Sequence, residues 1–125
     1  MSTTARPRIA FLLGDPSGVG PEMGARLLAD AAVRDSADVL LIADAAVLAA
    51  GQRIAGTELP LTEVQSPDAA VPAGRIAWWR YDTLGGVEPA LGESSEAAGR
   101  CTMRSLELAC EAVQRGAARA IVFAP

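Results

Sequence analysis

The stretch Ile9-Ala10-Phe11-Leu12-Leu13-Gly14-Asp15-Pro16-Ser17-Gly18-Val19-Gly20-Pro21-Glu22 decides how this chain is read. Ile9 to Leu13 is an uninterrupted apolar run closed by Gly14, the pattern of a strand buried on both faces. Gly14 to Gly20 carries three glycines and Pro16, so it turns the chain. Pro21 suits the first position of a helix, where its missing N–H is no loss. Glu22 then sits in the first turn, where the helix dipole favours a carboxylate. Met23, Leu27, Leu28 and Ala31 recur at helical spacing, which predicts a helix with that apolar face running to about Val33.

The same grammar repeats downstream. Val39 to Ala43 is a second apolar strand, and Asp44 is placed to cap an Ala-rich helix from Ala45 to about Ile54, closed by Gly56. Thr57 to Ala73 holds Pro60, Pro67 and Pro72 and reads as a long connection with a short strand at Leu59 to Val64. Ile76 to Tyr81 is a third main strand. Asp82 to Gly92, with Gly85, Gly86, Pro89 and Gly92, is loop. Ser94 or Ser95 can cap a long helix reaching about Arg115, whose buried stripe is expected to include Ala98, Cys101, Leu106, Ala109, Cys110 and Val113. Ala120 to Phe123 is a last apolar strand. This alternation predicts an α/β layered fold with a largely parallel sheet. Met1 to Arg8 is expected to be a flexible tail and residues 9–125 the amino-terminal α/β portion of a larger two-domain protein. A buried-type final strand leaves one sheet face without a following helix, so the sequence reads as incomplete.

Composition removes several functions. The 125 residues contain no His, and all 11 basic residues are Arg, so Lys is absent too. There is no imidazole for general-base work near neutral pH and no His-based metal site. There is no lysine for a Schiff base or a Walker-type phosphate contact. Net charge is −4. With no basic run and no interleaved aromatics, a nucleic-acid partner is not expected. No apolar window approaches a membrane span or a signal-peptide core, so the protein is expected in the cytoplasm. Cys101 and Cys110 point to opposite sides of a helix and are expected to be reduced and buried.

Chemistry concentrates at Gly14-Asp15-Pro16-Ser17-Gly18-Val19-Gly20-Pro21-Glu22. In open parallel sheets, ligands bind at the carboxyl ends of strands, and a helix N-terminus there offers free N–H donors. The turn is neither a G-x-G-x-x-G fingerprint nor a P-loop, and Asp15 would repel a phosphate placed on it. Two readings stand side by side from the residues alone. Gly14, Asp15, Gly18 and Gly20 contact a cofactor or substrate, or the stretch is a tight turn in which Asp15 bonds its own backbone.

The turn resembles the opening of the 4-hydroxythreonine-4-phosphate dehydrogenases, a strand followed by G-D-P-x-G-I/V-G-P-E. It is also similar to the shorter G-D-G-I-G-P-E turn of isocitrate and isopropylmalate dehydrogenases, which share that broad fold. Further matches come in order. Ile42-Ala43-Asp44 with Val47-Leu48 resembles the family's second strand and helix. Gly92, Ser95 and Gly99 fit its G-x-x-S-x-x-x-G pattern. Gly116 and Ala120 to Pro125 resemble its G-x-x-x-A-I-V-T-A-P segment, with Phe123 in place of the usual threonine.

The resemblance implies a homodimeric enzyme two to three times this length that uses NAD. It would oxidise the secondary alcohol of 4-hydroxy-L-threonine phosphate, with loss of carbon dioxide, for pyridoxal phosphate synthesis. It also implies a divalent metal held by histidines from both subunits, a His-Thr pair on the substrate and a Lys just past the A-P dipeptide. None of these residues is present here, so catalytic and metal residues are expected outside this chain, which alone should be inactive. Gly14, Asp15, Gly18 and Gly20 are the expected cofactor contacts. Phe123 and the Leu12-Leu13 pair suggest a divergent branch acting on a related substrate, such as a dihydrodiol or a sugar-acid phosphate. The rival classes are a non-catalytic module binding at most an anion at Gly18 to Gly20, and an unrelated small-molecule-binding α/β domain.

Overall fold

The computed structural model describes residues 6–124. Nine elements follow one another: β1 (Arg8–Leu12), α1 (Gly20–Leu28), α2 (Ala31–Ser36), β2 (Asp38–Asp44), α3 (Ala45–Ala55), β3 (Leu61–Val64), β4 (Ile76–Tyr81), α4 (Glu96–Gln114) and β5 (Ala120–Phe123). The five strands form one sheet in the order β3-β4-β2-β1-β5, and all four pairings are parallel. β2 is the middle strand and β1 lies beside it, with Ala10 opposite Leu40 on one side and Ile121 on the other. The predicted α/β architecture with a parallel sheet is therefore what the chain adopts.

Alternation along the strands builds two cores. Phe11, Leu13, Val39, Leu41 and Ala43 face α1 and α3, together with Leu28, Val47 and Leu48. Ala10, Leu12, Leu40 and Ile42 face α4, where Leu108, Ala109 and Ala112 meet them. Both faces of the central strands are thus covered, which is why they read as continuous apolar runs.

The structure corrects several boundaries and faces. The helix expected to run to Val33 breaks after Leu28. Asp30 turns its side chain onto the Ala32 N–H at 2.9 Å and caps a separate helix, α2. An Asp that can cap competes with helix continuation by offering the backbone another bond. The buried face of α1 also differs from the predicted one. It consists of Gly20, Pro21, Gly24, Ala25 and Leu28, while Met23, Leu27 and Ala31 lie exposed. Small residues win that face because α1 packs tightly: a Cβ on Gly24 would stand 2.6 Å from Leu13 Cδ2.

On α4 the buried residues are Ala98, Cys101, Ser105, Leu108, Ala109 and Ala112. Leu106 is only half-buried, and Cys110 and Val113 are exposed. Cys101 is buried and Cys110 exposed, so only the first matches the expected pair of buried thiols. Arg8, placed in the tail by sequence, opens β1. Its guanidinium pairs with Asp38 at 2.8 Å and donates to the Pro67 and Ala69 carbonyls, each at 2.8 Å. It anchors the long connection under the sheet. Residues 1–5 of the expected tail lie outside the described residues.

Candidate functional site

The Gly14–Glu22 turn leaves the carboxyl end of β1. Gly14 has φ +78°, a left-handed conformation that favours glycine over any residue with a Cβ. Asp15 then closes the turn on itself. Its Oδ1 accepts the Ser17 N–H at 2.9 Å, and its carbonyl accepts the Gly18 N–H at 3.0 Å. The self-bonded turn anticipated from the sequence is therefore present. It does not use up the carboxylate, because Asp15 remains exposed.

The four singled-out residues fall into different environments. Gly14 is half-buried, Asp15 and Gly18 are exposed, and Gly20 is buried. A Cβ on Gly20 would lie 1.9 Å from the Leu13 carbonyl oxygen and 3.0 Å from Ala124 Cβ. Gly20 is thus required for close packing of α1 on the end of the sheet. The N-terminus of α1 carries no side-chain cap, since Val19 occupies the N-cap position.

Two sequence motifs meet here. Asp15 lines one cavity with Ser94, Ser95, Ala98, Gly99 and Thr102, with a volume of about 380 Å³. It lines an adjoining one of about 150 Å³ with Leu12, Gly14, Thr102, Ser105 and Phe123. The glycine turn and the first turns of α4 therefore form one groove at the carboxyl ends of β1 and β5. A direct tether holds them together: the Gly92 N–H donates to the Ser17 carbonyl at 2.7 Å. Ser95, rather than Ser94, caps α4 through the Ala98 N–H at 3.1 Å.

Sequence reading missed Thr102 and Ser105. Their one signal was helical spacing from Ser95, which sets Thr102 on the Asp15 side of α4. It also missed Ser17, which is buried and whose hydroxyl finds no hydrogen-bond partner among the described residues. An unmatched buried hydroxyl costs about 1–3 kcal/mol, and nothing in the one-dimensional pattern announces it.

The loop opposite is pinned by Asp44, which is 1% exposed. One carboxylate oxygen caps α3 through the Ala46 N–H at 2.9 Å. The other accepts the Thr83 N–H at 2.7 Å, the Thr83 hydroxyl at 3.2 Å and the Leu84 N–H at 3.2 Å. Nearby, the Tyr81 hydroxyl donates to the Cys101 carbonyl at 3.1 Å and lies 3.4 Å from Cys101 Sγ. Burial, then this contact with Cys101, drive the Tyr81 phenol far above its ordinary pKa, so it stays protonated and serves structure rather than base chemistry. Burial also pushes the Cys101 thiol up. Native protein should therefore react with a thiol reagent at Cys110 alone, and denatured protein at both cysteines. Rapid native labelling of both, read by intact mass, would contradict the buried placement of Cys101.

Among the described residues there is no cluster of three or more Cys, Asp or Glu able to hold a metal ion. No helix is long and apolar enough to cross a membrane among those residues.

No protein-family model matches the chain. Individual relatives do. A Pseudomonas aeruginosa protein named "Putative 4-hydroxythreonine-4-phosphate dehydrogenase 2" is 41% identical over 100% of this chain. A Trichlorobacter lovleyi 4-hydroxythreonine-4-phosphate dehydrogenase is 31% identical over 98% of it. The crystal structure of a 4-hydroxythreonine-4-phosphate dehydrogenase from Burkholderia phymatum superposes over 98% of the chain with a TM-score of 0.86 at 28% identity. This chain is similar along its length to the amino-terminal part of proteins named 4-hydroxythreonine-4-phosphate dehydrogenase. It spans 37% of the length of each of those three proteins. The relatives are named dehydrogenases, and the layered parallel fold agrees with the solved ones.

Proposed function

We propose that residues 9–125 are the amino-terminal α/β portion of a larger two-domain dehydrogenase. Its reaction is NAD-dependent oxidation, with decarboxylation, of 4-hydroxy-L-threonine phosphate or a related phosphorylated hydroxy acid, in pyridoxal phosphate synthesis. The reading is of a cytoplasmic homodimer with a divalent metal. The observation that carries it is the end-to-end match to relatives of that name, whose further length leaves room for the missing half of a site.

The residues present fit one part of that chemistry and not another. A divalent metal would act as a Lewis acid on the alcohol oxygen, but this chain has no His, and its described residues hold no cluster of three or more acidic or thiol groups to bind one. The groove fits a hydroxyl-bearing ligand better. The Asp15 carboxylate is exposed and can accept hydrogen bonds from sugar or substrate hydroxyls. Gly14 and Gly18 let a ligand approach the backbone beside it. Asp15 would also keep a phosphate away from this point, so a pyrophosphate or substrate phosphate belongs elsewhere in the cleft.

A bare sheet edge supports the larger-protein reading. β5 forms one edge of the sheet, and its Val122 and Phe123 are 46% and 61% exposed. With Met23 and Leu27 they line an apolar groove of about 600 Å³. An apolar face of this kind on an open parallel edge is costly unless covered.

One observation favours a paralogous substrate. Two relatives whose names end in the numeral 2, from Pseudomonas aeruginosa and Rhizobium meliloti, are 41% and 40% identical. The Trichlorobacter relative, whose name has no numeral, is 31% identical. Phe123, which departs from the family's threonine, lines the Asp15 groove. The Phe123 departure is what supports a branch with altered substrate recognition.

The assay is direct. A polypeptide carrying the whole length seen in the relatives, given NAD, a divalent cation and 4-hydroxy-L-threonine phosphate, should generate NADH absorbance. The 125-residue chain should not. In the longer protein Asp15→Ala should lower kcat/KM by about tenfold to a hundredfold, equivalent to ~1.4–2.8 kcal/mol of lost transition-state binding, with the fold retained and only the small loss of stability, about 1 kcal/mol, that the Ser17 N–H bond represents. Unaltered kinetics would remove Asp15 from the site, and no NADH with any phosphorylated hydroxy acid would overturn the dehydrogenase reading.

A further inference from the structure

A cavity at the opposite end of the sheet carries the reverse charge of the Asp15 groove. All strands of a parallel sheet start at one edge. Here Arg8 opens β1, Asp38 opens β2 in register with it, and Arg75 immediately precedes β4. With Arg6 and residues 70–73 they line a cavity of about 350 Å³. β1 is five residues long, so at ~3.3 Å per residue this cavity lies roughly 16 Å or more from the Asp15 groove. The two groove cavities have Asp15 as their one ionisable side chain. The cavity at the strand starts gathers three arginines, in a chain whose acids outnumber its bases 15 to 11.

The fold holds these charges in place and leaves each guanidinium with an unused edge. The Arg8 side chain is 10% exposed. Its Nε pairs with Asp38 and its Nη1 donates to the Pro67 and Ala69 carbonyls. Its Nη2 has no acceptor among the described residues and is not sealed from solvent. Arg75 spends Nε on the Thr62 hydroxyl at 3.1 Å and Nη2 on the Leu61 carbonyl. Arg6 spends Nη1 on the Arg34 and Asp35 carbonyls, at the end of α2. Arg75 Nη1 and Arg6 Nη2 find no acceptor among the described residues. The wall between them is fixed as well. The Arg75 N–H donates to the Pro72 carbonyl at 3.1 Å, and Arg34 Nε donates to the Gly74 carbonyl at 3.2 Å.

Holding backbone carbonyls accounts for the used edges of these arginines. It does not account for three like charges converging on one cavity, an arrangement that is repulsive unless an anion sits among them. Three arginines against one aspartate leave two positive charges, which matches the charge of a phosphate dianion. The carboxylates nearby compete little. Asp38 is already paired with Arg8 at 2.8 Å, and Asp68, close enough to sense Arg8, accepts the Ser66 hydroxyl.

We infer that this cavity binds a phosphate group, as the free ion or as an ester, between Arg6, Arg8 and Arg75. Guanidinium donors lie in a plane and meet phosphate oxygens in pairs. The small walls Ala37, Val71 and Ala73 leave room beside the phosphate for a short organic group. A phosphate held there ties together the starts of β1, β2 and β4, which are distant in sequence. It therefore stabilises the fold and takes no part in chemistry at the far end of the sheet. The inference is independent of the dehydrogenase reading.

The test is a titration of the chain with inorganic phosphate, followed by calorimetry and by thermal melting, with chloride keeping ionic strength constant. Phosphate should bind saturably. It should raise the melting midpoint by about 4–8 °C when it stands about tenfold above its Kd. Arg75→Gln should weaken binding about tenfold or more, the effect of losing a charge-assisted hydrogen bond. Ala73→Glu should do the same while removing no arginine, because it puts a carboxylate into the wall at an exposed position. Arg80→Gln, at an exposed arginine of β4 outside the cavity, should bind phosphate like the parent. Glycerol 3-phosphate separates the two sources. Tighter binding than inorganic phosphate supports an ester, and weaker binding supports the free ion. Three results overturn the inference: no saturable binding of either compound, binding unchanged in both Arg75→Gln and Ala73→Glu, or succinate binding more tightly than phosphate.

Discussion

Replacing Asp44 with alanine is expected to destabilise the protein by about 3–5 kcal/mol, the range for removing one member of a buried charged hydrogen-bond network. The loss has two parts. The N-cap of α3 goes, which alone is worth roughly 0.5–2 kcal/mol. The Thr83 and Leu84 N–H groups also lose the oxygen that holds the Tyr81–Leu84 corner to the end of β2. For a chain of this size the melting midpoint should fall by about 10–20 °C. Asp44→Asn should lie between wild type and alanine. Asp44 accepts four hydrogen bonds on two oxygens, and an amide supplies only one acceptor oxygen, so its NH2 must face a donor. Asp30→Ala, at the exposed cap of α2, should cost about 1 kcal/mol at most. Thermal denaturation of the three variants is decisive. An Asp44→Ala protein melting within a few degrees of the parent would show that the clamp carries no weight.

Asp44 also shows what the sequence could and could not reveal. Its place before an Ala-rich helix marked it as a cap, and the structure agrees. Its second oxygen, bound to a loop about forty residues away, has no local signature. The same division runs through the fold. Strands β1 and β2 are legible because burial on both faces leaves unbroken apolar runs, and β4 and β5 are legible from their mainly apolar, β-branched or aromatic composition although β5 is largely exposed. The order of the elements then implies parallel pairing. The helix faces were read less well. On α1, the large residues Met23 and Leu27 suggested the core side, yet the core side is made of Gly24, Ala25 and Leu28, because close approach selects for small size. On α4 the apolar residues belong to two stripes, and hydrophobicity alone does not say which one meets the sheet. The candidate site was half legible. Gly14 and Asp15 stood out as a motif at a strand end, and Ser95 and Gly99 as a second one. Their convergence on one groove depends on β5 lying beside β1, a pairing between distant segments that spacing does not encode.

The glycine turn itself yields the second large effect. Gly20→Ala is expected to cost several kcal/mol, on the order of 3 or more, comparable with severe overpacking in a core. A methyl group there would sit 1.9 Å from the Leu13 carbonyl oxygen. That atom belongs to the backbone at the end of β1, so no side-chain rotation relieves the clash. Either α1 or the strand end must move, and α1 cannot move freely, because a Cβ on Gly51 of α3 would already stand 2.4 Å from the Pro21 carbonyl oxygen. Gly99→Ala makes the contrast. No atom lies within 4 Å of a Cβ there, and alanine in a helix interior gains about 0.5–1 kcal/mol over glycine. Urea titration should therefore move the two midpoints in opposite directions. A Gly20→Ala midpoint equal to that of the parent would mean that the turn is far looser than its geometry implies. The consequence reaches the functional reading. Gly20→Ala should abolish activity in the longer protein by unfolding the turn, whereas Asp15→Ala should reduce it with the fold intact. Loss of function at a motif glycine is thus no evidence for ligand contact, and only the exposed members of the turn, Asp15 and Gly18, can be tested for it cleanly.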